Sequence, residues 1–298
     1  MSTGTAIHTE HLTKRYRQRL AVDDLSLEVQ RGEIFGFVGE NGAGKTTTIR
    51  LLLGLAKPTD GRVDVLGFDP RDSRRAHLLM AKLGYVSETR AMYDWMRVSA
   101  IIDFCAGVHG ETWDHDQARA LVERFGFDLS LKVKELSRGK RALLMLLLAV
   151  AHWPELLVLD EPSSGLDPVA RREILEQVIE TIQAEGRTVF FSSHLLDEVE
   201  RVADRVGFLH EGKLVMVESL DALHARWRRV RLVWPGEPKG ISLIKGVSRV
   251  VGDGREQAVI TDSFSDDLCR ALGEFGAEQI TPEPLSLEDI FVEVVRRN

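Results

Sequence analysis

Eight consecutive residues, Gly39-Glu40-Asn41-Gly42-Ala43-Gly44-Lys45-Thr46, carry glycines, a lysine and a hydroxyl in the order that wraps a phosphate chain. Glycines let successive backbone N–H groups turn toward one anion, and a helix starting after the loop adds the positive end of its dipole. Lys45 is placed to reach the β- and γ-phosphates of a nucleotide, and Thr46 to set its hydroxyl on Mg²⁺. A second motif, Asp160-Glu161, closes the apolar run Leu156-Leu157-Val158-Leu159. Carboxylates at the carboxyl end of a strand lie where wound α/β sheets bind ligands. There Asp160 would hold the cation, directly or through water, and Glu161 would orient and deprotonate an attacking water. Either motif alone has a bland reading, a glycine turn with an incidental lysine or a strand ending in solvated acids; together they point strongly to water attack on a bound nucleotide's terminal phosphate.

Those motifs need a scaffold, and the pattern supplies one. Leu25–Val29 and Ile34–Val38 read as strands, the second running into the glycine-rich loop. A helix is expected from Lys45 to Leu55, closed by Lys57-Pro58. Residues 70–135 read mainly as helices, with Trp95 and Trp113 in loops or at helix ends, and a further helix spans Arg138 to Ala151. Then follow a buried strand (Leu156–Leu159), a helix (Val169–Ala184), a strand (Thr188–Phe191) and a helix (Leu195–Val202). Apolar strands alternating with helices predict a parallel, wound α/β sheet.

After about Glu218 the character changes. Arg226, Arg228, Arg229 and Arg231 surround Trp227, and prolines 235 and 238 break the pattern. Val247–Val251 and Gln257–Thr261 read as a hairpin, followed by helices Asp266–Phe275 and Leu287–Arg296. The expected division is therefore a main α/β domain over 1–218 and a small α+β accessory domain over 219–298. The arginine cluster reads as a solvated charge run before it reads as a contact for acidic lipid headgroups.

Bulk properties narrow the field. With 298 residues and 44% apolar content the chain can bury a large core, and a net charge of −7 argues against a general nucleic-acid binder. Cys105 and Cys269 are far apart and form no metal-type spacing, which suits a reducing compartment. Met1–Glu10 lacks the apolar core of a secretory leader, and the longest apolar run, Ala142–Ala151, is roughly half of what a spanning helix needs. A peripheral place on a membrane is compatible with this; crossing one is not.

Over residues 5 to about 218 the chain resembles an ABC ATPase, a P-loop NTPase whose wound sheet carries a helical subdomain, here about 88–152. The resemblance implies ATP and Mg²⁺ as cofactors, bound by Tyr16 stacked on adenine, by the loop Gly39 to Thr47, and by Thr46, Asp160 and Glu88 around the metal. It implies Glu161, His194 and Lys45 as the catalytic set, His194 being the switch histidine after Ser192-Ser193. Ser164-Gly165-Leu166-Asp167 resembles the D-loop that crosses the dimer interface. Ser137 and Gly139 belong to the signature loop that caps the nucleotide of the other subunit.

Two departures stand out. The signature reads Leu136-Ser137-Arg138-Gly139-Lys140, with Arg138 where relatives have glycine, so the side chain either clashes or adds a contact to phosphate. Glu88 stands where many relatives have glutamine. The ending Leu285-Ser286-Leu287-Glu288-Asp289-Ile290-Phe291 resembles the tail of ATPases that serve bacterial drug, antibiotic or ion exporters. The implied partners are a separate transmembrane permease and a second ATPase subunit, like or unlike this one, with no nucleic acid. The implied place is the cytoplasmic face of the cell membrane. Tyr93, Trp95, Met96 and Trp113 are candidate permease contacts, or else they pack the helical subdomain. A soluble, non-transport ABC ATPase and a regulatory subunit with weak turnover remain as alternatives.

Overall fold

Two twelve-residue strands, β1 (Thr5–Tyr16) and β2 (Arg19–Gln30), pair antiparallel, and β4 (Asp60–Val65) lies on the other edge of β1. Along β2 the buried Leu25, Leu27 and Val29 alternate with exposed Ser26 and Glu28, the two-residue period of a sheet with one face in the core. The computed structural model describes residues 4–89, 91–168, 171–172, 175, 187–236, 238 and 240–297.

A second sheet runs in the order β5 (Leu83–Val86), β6 (Leu156–Asp160), β7 (Thr188–Ser193), β3 (Ile34–Val38), β8 (Arg205–His210) and β9 (Lys213–Ser219). Its pairs from β5 through β8 are parallel. Every residue of β3, β6 and β7 is buried, which is why these strands read as unbroken apolar runs rather than alternations. The carboxyl ends of β5, β6, β7 and β3 stand side by side. Glu88, Asp160-Glu161, His194 and the glycine-rich loop each follow one of those ends, so the topology alone delivers them to one edge.

Helix α1 (Lys45–Leu52) stops three residues short of the expected Leu55, because Gly54 turns to φ 69°. The mainly helical reading of 70–135 needs correcting. Helices occupy Ala76–Met80 (α2), Val98–His109 (α3) and His115–Arg124 (α4), and β5 interrupts them. Four residues are too few to show a strand period, and β5 is recognisable only from its parallel pairing to β6. Helix α5 (Arg138–Val150) ends just before Trp153-Pro154, and α6 (Leu196–Glu200) follows β7. The helix expected over Val169–Ala184 falls largely outside the described residues.

Trp113 is 5% exposed and packs with Ala118 and Ala151, so it belongs to the helical core and is not a docking residue. Met96 is partly buried against Val98, Ile101 and Val133. Tyr93 and Trp95, 56% and 70% exposed, remain on the surface. No helix among the described residues is long and apolar enough to cross a membrane.

The chain divides into two compact units, Met1–Met216 and Val217–Asn298. The second holds a four-stranded antiparallel sheet ordered β11 (Arg249–Asp253), β12 (Glu256–Thr261), β10 (Arg228–Val233) and β13 (Gln279–Pro284). Val230, Leu232, Trp234, Val259, Leu268 and Leu272 form its core. Helices α7 (Leu220–Arg226), α8 (Asp266–Glu274) and α9 (Leu287–Arg297) complete the unit, and Leu287, Ile290, Phe291 and Val294 of α9 are buried. The arginine cluster is largely paired: Arg226 with Glu218 at 2.9 Å, Arg231 with Glu283 at 3.0 Å, and Arg229 with Asp289 at 3.6 Å.

Candidate active site

The loop between β3 and α1 is shaped by close approaches that exclude side chains. Gly44 sits at φ 117°, and a Cβ there would meet the Ala21 carbonyl oxygen at 2.4 Å; a Cβ on Gly39 would meet the Leu209 oxygen at 2.3 Å. The loop therefore lies flat on β2 and β8, with helix α1 starting behind it. Lys45 is 6% exposed, and its Nζ donates to the carbonyl oxygens of Gly39 (2.6 Å) and Glu40 (3.2 Å), curling over the loop from inside.

Tyr16, Arg19, Asn41, Gly42, Gly44, Lys45, Thr46, Thr47, Glu88 and Glu161 face one cleft of about 270 Å³. Nine of these were expected from sequence; Arg19 was not. Its Nη2 donates to the Gly42 oxygen at 2.9 Å, which steadies the loop from the Tyr16 side. Tyr16 is exposed at the end of β1 and lines the cleft, with Lys14 Nζ 4.7 Å over its ring. Ala43 is buried behind the loop.

At the base of the cleft, Thr46 Oγ1 lies 3.2 Å from Asp160 Oδ1. A hydroxyl and a carboxylate are the hard oxygen donors that Mg²⁺ takes together with phosphate oxygens. Burial pushes the Asp160 carboxyl up from its ordinary range; hydrogen bonds from Ser192 (2.8 Å) and Thr46 oppose this, and the charges of Glu88 and Glu161 add to it. This surplus of negative charge suits a divalent cation. Among the described residues no three His, Cys, Asp or Glu side chains are grouped to hold a metal. A cation bridged to phosphates needs no such cage.

Glu161 occupies the centre. Its Oε1 is 3.1 Å from Lys45 Nζ, and its Oε2 is 2.7 Å from His194 Nδ1. A carboxylate can only accept, so the proton of that pair rides on Nδ1 and Nε2 stays available to a ligand. The backbone of Glu161 is left-handed, φ 50°, an uncommon conformation for a residue with a side chain. Its N–H is held by the Ser192 carbonyl oxygen at 3.1 Å and lies 3.2 Å from Ser192 Oγ, which pins the turn. Ser192 thus holds the Asp160 carboxylate and the Glu161 backbone at once. Nothing in the spacing of the sequence singles it out.

Ser137 and Gly139 lie elsewhere, at the start of α5. Ser137 caps that helix, its Oγ accepting from Lys140 N at 3.2 Å. Lys140 turns inward, donating to the Phe125 and Gly126 carbonyls behind α4. Arg138 Nη1 donates to the Gly165 oxygen at 3.3 Å, so its guanidinium rests on the Ser164–Asp167 segment of its own chain.

Residues 22–164 match the family model described as ABC transporter. The chain is 32% identical to the bacitracin transport ATP-binding protein BcrA of Bacillus licheniformis, over 98% of each chain. It is also 32% identical to the Nod factor export ATP-binding protein I of Neorhizobium galegae, over 98% of this chain and 85% of that one. Among solved structures, an ATP-binding subunit of an ABC transporter superposes with a TM-score of 0.65 at 27% identity, covering 74% of this chain and 92% of the other. A dimeric cassette holding ADP and Pi gives the same score at 19% identity, over 72% and 98%, a likeness of fold alone.

Proposed function

The chain belongs to the ABC transporter family as an ATP-binding, ATP-hydrolysing subunit, and we propose that it drives export through a separate permease at the cytoplasmic face of the cell membrane. One observation carries the hydrolytic part: Lys45, Thr46, Asp160, Glu161 and His194 meet at one edge of the sheet with hydrogen-bonding geometry. The exporter part rests on similarity along the whole chain to transport ATPases named for bacitracin and Nod factor. An antibiotic-like or amphiphilic cargo is therefore proposed, its selection left to the permease.

In this reading the adenine lies against Tyr16 and the phosphates against the loop N–H groups, Lys45 and Thr47. Bound Mg²⁺ would neutralise phosphate oxygens and draw charge from the bond that breaks; Thr46 and Asp160 would hold it, with Glu88 beside them. Glu161 orients a water and takes its proton as the oxygen attacks the terminal phosphorus. The bond to the ADP oxygen breaks, leaving ADP and phosphate. His194, anchored through Nδ1, holds Glu161 in place beside the terminal phosphate. Lys45 releases Glu161 as phosphate takes its place, so ligand entry itself frees the base.

Two such subunits are proposed to close on two nucleotides, each covering the other's phosphates with Ser137 and Gly139. Binding then does mechanical work on the permease. Its cytoplasmic helix would seat in the apolar hollow of about 280 Å³ walled by Met92, Tyr93, Ile101, Phe104 and Met145. The test is co-production with a candidate permease. The chain should stay with the washed membrane fraction only when the permease is present, and Tyr93→Asp should release it. A chain that remains soluble beside every permease tested, yet hydrolyses ATP, would place it among the non-transport members.

A further inference from the structure

Two buried serines on either side of the active site share one acceptor. Ser163 follows Glu161 by two residues, and its Oγ donates to Glu198 Oε2 at 2.6 Å. Ser193 precedes His194, and its Oγ stands 3.4 Å from the same oxygen while accepting from Leu195 N at 3.0 Å. Glu198 is 2% exposed, on the short helix α6 that follows the histidine. Its other oxygen is 3.4 Å from Arg171 Nε, and Arg171 donates through Nη2 to the Leu166 oxygen at 3.4 Å. The Arg171 backbone N–H adds a bond to the Asp167 oxygen at 2.9 Å.

A buried carboxylate is costly to keep, and burial pushes that of Glu198 up. It does not line the nucleotide cleft. What it does is tie together two segments that the sequence separates by some thirty residues. One is the loop Ser163–Asp167, which continues directly from Glu161; the other is the strand end that carries His194.

We infer that Glu198 is a positioning residue for hydrolysis: through Ser163 and Arg171 it fixes the Ser164–Asp167 loop to the base of His194, so that loop and histidine move as one body around Glu161. The inference rests on Glu161 and His194 being the hydrolytic pair.

The experiment uses the full-length chain as Glu198→Ala, Glu198→Gln, Ser163→Ala and the Ser163→Ala/Glu198→Ala double variant, with Glu161→Gln beside them. Turnover, KM for Mg-ATP, affinity for a fluorescent ATP analogue and thermal midpoint are read for each. Glu198→Ala should lose roughly ten- to a hundredfold in kcat, the scale of a misplaced catalytic group, with KM and affinity within about threefold of the parent. The double variant should be no slower than Glu198→Ala, since both remove one linkage. Glu198→Gln, which keeps an acceptor for Ser163, should recover most of the loss. A folded Glu198→Ala with parental kcat, whatever its thermal midpoint, overturns the inference, as do rate losses that multiply in the double variant. Should Glu198→Ala fail to fold, Ser163→Ala alone decides: a kcat loss at unchanged affinity supports the clamp, and full kcat overturns it. Parental turnover in Glu161→Gln would instead sink the assignment of the pair on which the inference stands.

Discussion

His194 Nδ1 stands 2.7 Å from Glu161 Oε2, and the His194 backbone N–H points at the same oxygen from 3.3 Å. The histidine therefore contacts the carboxylate twice and is held with its second ring nitrogen outward. Removing the ring removes an orienting partner of Glu161 at the place proposed for the terminal phosphate. His194→Ala is expected to lower kcat by roughly a hundredfold or more, the scale of one lost polar group in a hydrolytic site. ATP affinity, which the proposed reading assigns to the loop and Tyr16, should change by only about threefold, and parallel steady-state and binding measurements check the split.

Glu88 brings a second negative charge toward Asp160, one of the causes that hold the Asp160 carboxyl up. A neutral glutamine there weakens the pull on a divalent cation. Glu88→Gln should raise the Mg²⁺ concentration for half-maximal hydrolysis several-fold while kcat at saturating Mg²⁺ is largely kept. Titration of activity with Mg²⁺ at fixed ATP reads this directly. Unchanged Mg²⁺ dependence would remove Glu88 from the metal's surroundings.

Arg138 lies on its own Gly165 carbonyl, away from the position of a glycine that simply makes room. The contact is exposed and contributes at most about 1 kcal/mol to stability. Arg138→Gly is thus expected to leave the thermal midpoint nearly unchanged and to lower turnover, because the Ser164–Asp167 segment loses a support. A rise in turnover on this substitution would instead show that the arginine obstructs closure.

His152 supplies a pH signature of the fold. It is 4% exposed, its Nε2–H faces the Leu83 oxygen at 2.9 Å, and its ring stacks on His109 at 4.0 Å. Burial, with a smaller contribution from the charge of His109, lowers its pKa from 6.5 to about 4. The unfolded chain therefore takes up the proton first as pH falls. Stability from this group is full above about pH 6.5 and drains away toward pH 4, by up to about 3 kcal/mol. Thermal midpoints measured across that window should fall, and His152→Leu should flatten the slope attributable to this group.

Much of the proposed hydrolytic centre was legible because it is written in contiguous stretches. The loop Gly39–Thr46 and the run Leu156–Glu161 each carry their own strand and their own chemistry, so periodicity and residue type sufficed. What escaped was assembled by the topology. Ser192 serves Asp160 and Glu161 only because β7 lies beside β6, and Arg19 reaches Gly42 only because β2 passes under the loop. Glu198 looks like a surface residue of an acidic helix, Asp197-Glu198 and Glu200, until α6 is seen to turn that one side chain inward. The left-handed turn at Glu161 has no glycine to announce it. Trp113 and Trp95, alike in sequence context, separate into core and surface only through the packing of α3, α4 and α5.

The central claim is that Glu161 is the base that splits ATP once two subunits have closed on it. The most direct measurement is Mg-ATP hydrolysis by the full chain and by Glu161→Gln, with molecular mass measured with and without ATP. The account predicts that Glu161→Gln keeps ATP binding, loses turnover by a factor of roughly a hundred or more, and accumulates as an ATP-dependent dimer. A Glu161→Gln protein that hydrolyses ATP at the parental rate, or stays monomeric at saturating ATP while binding it, would contradict it.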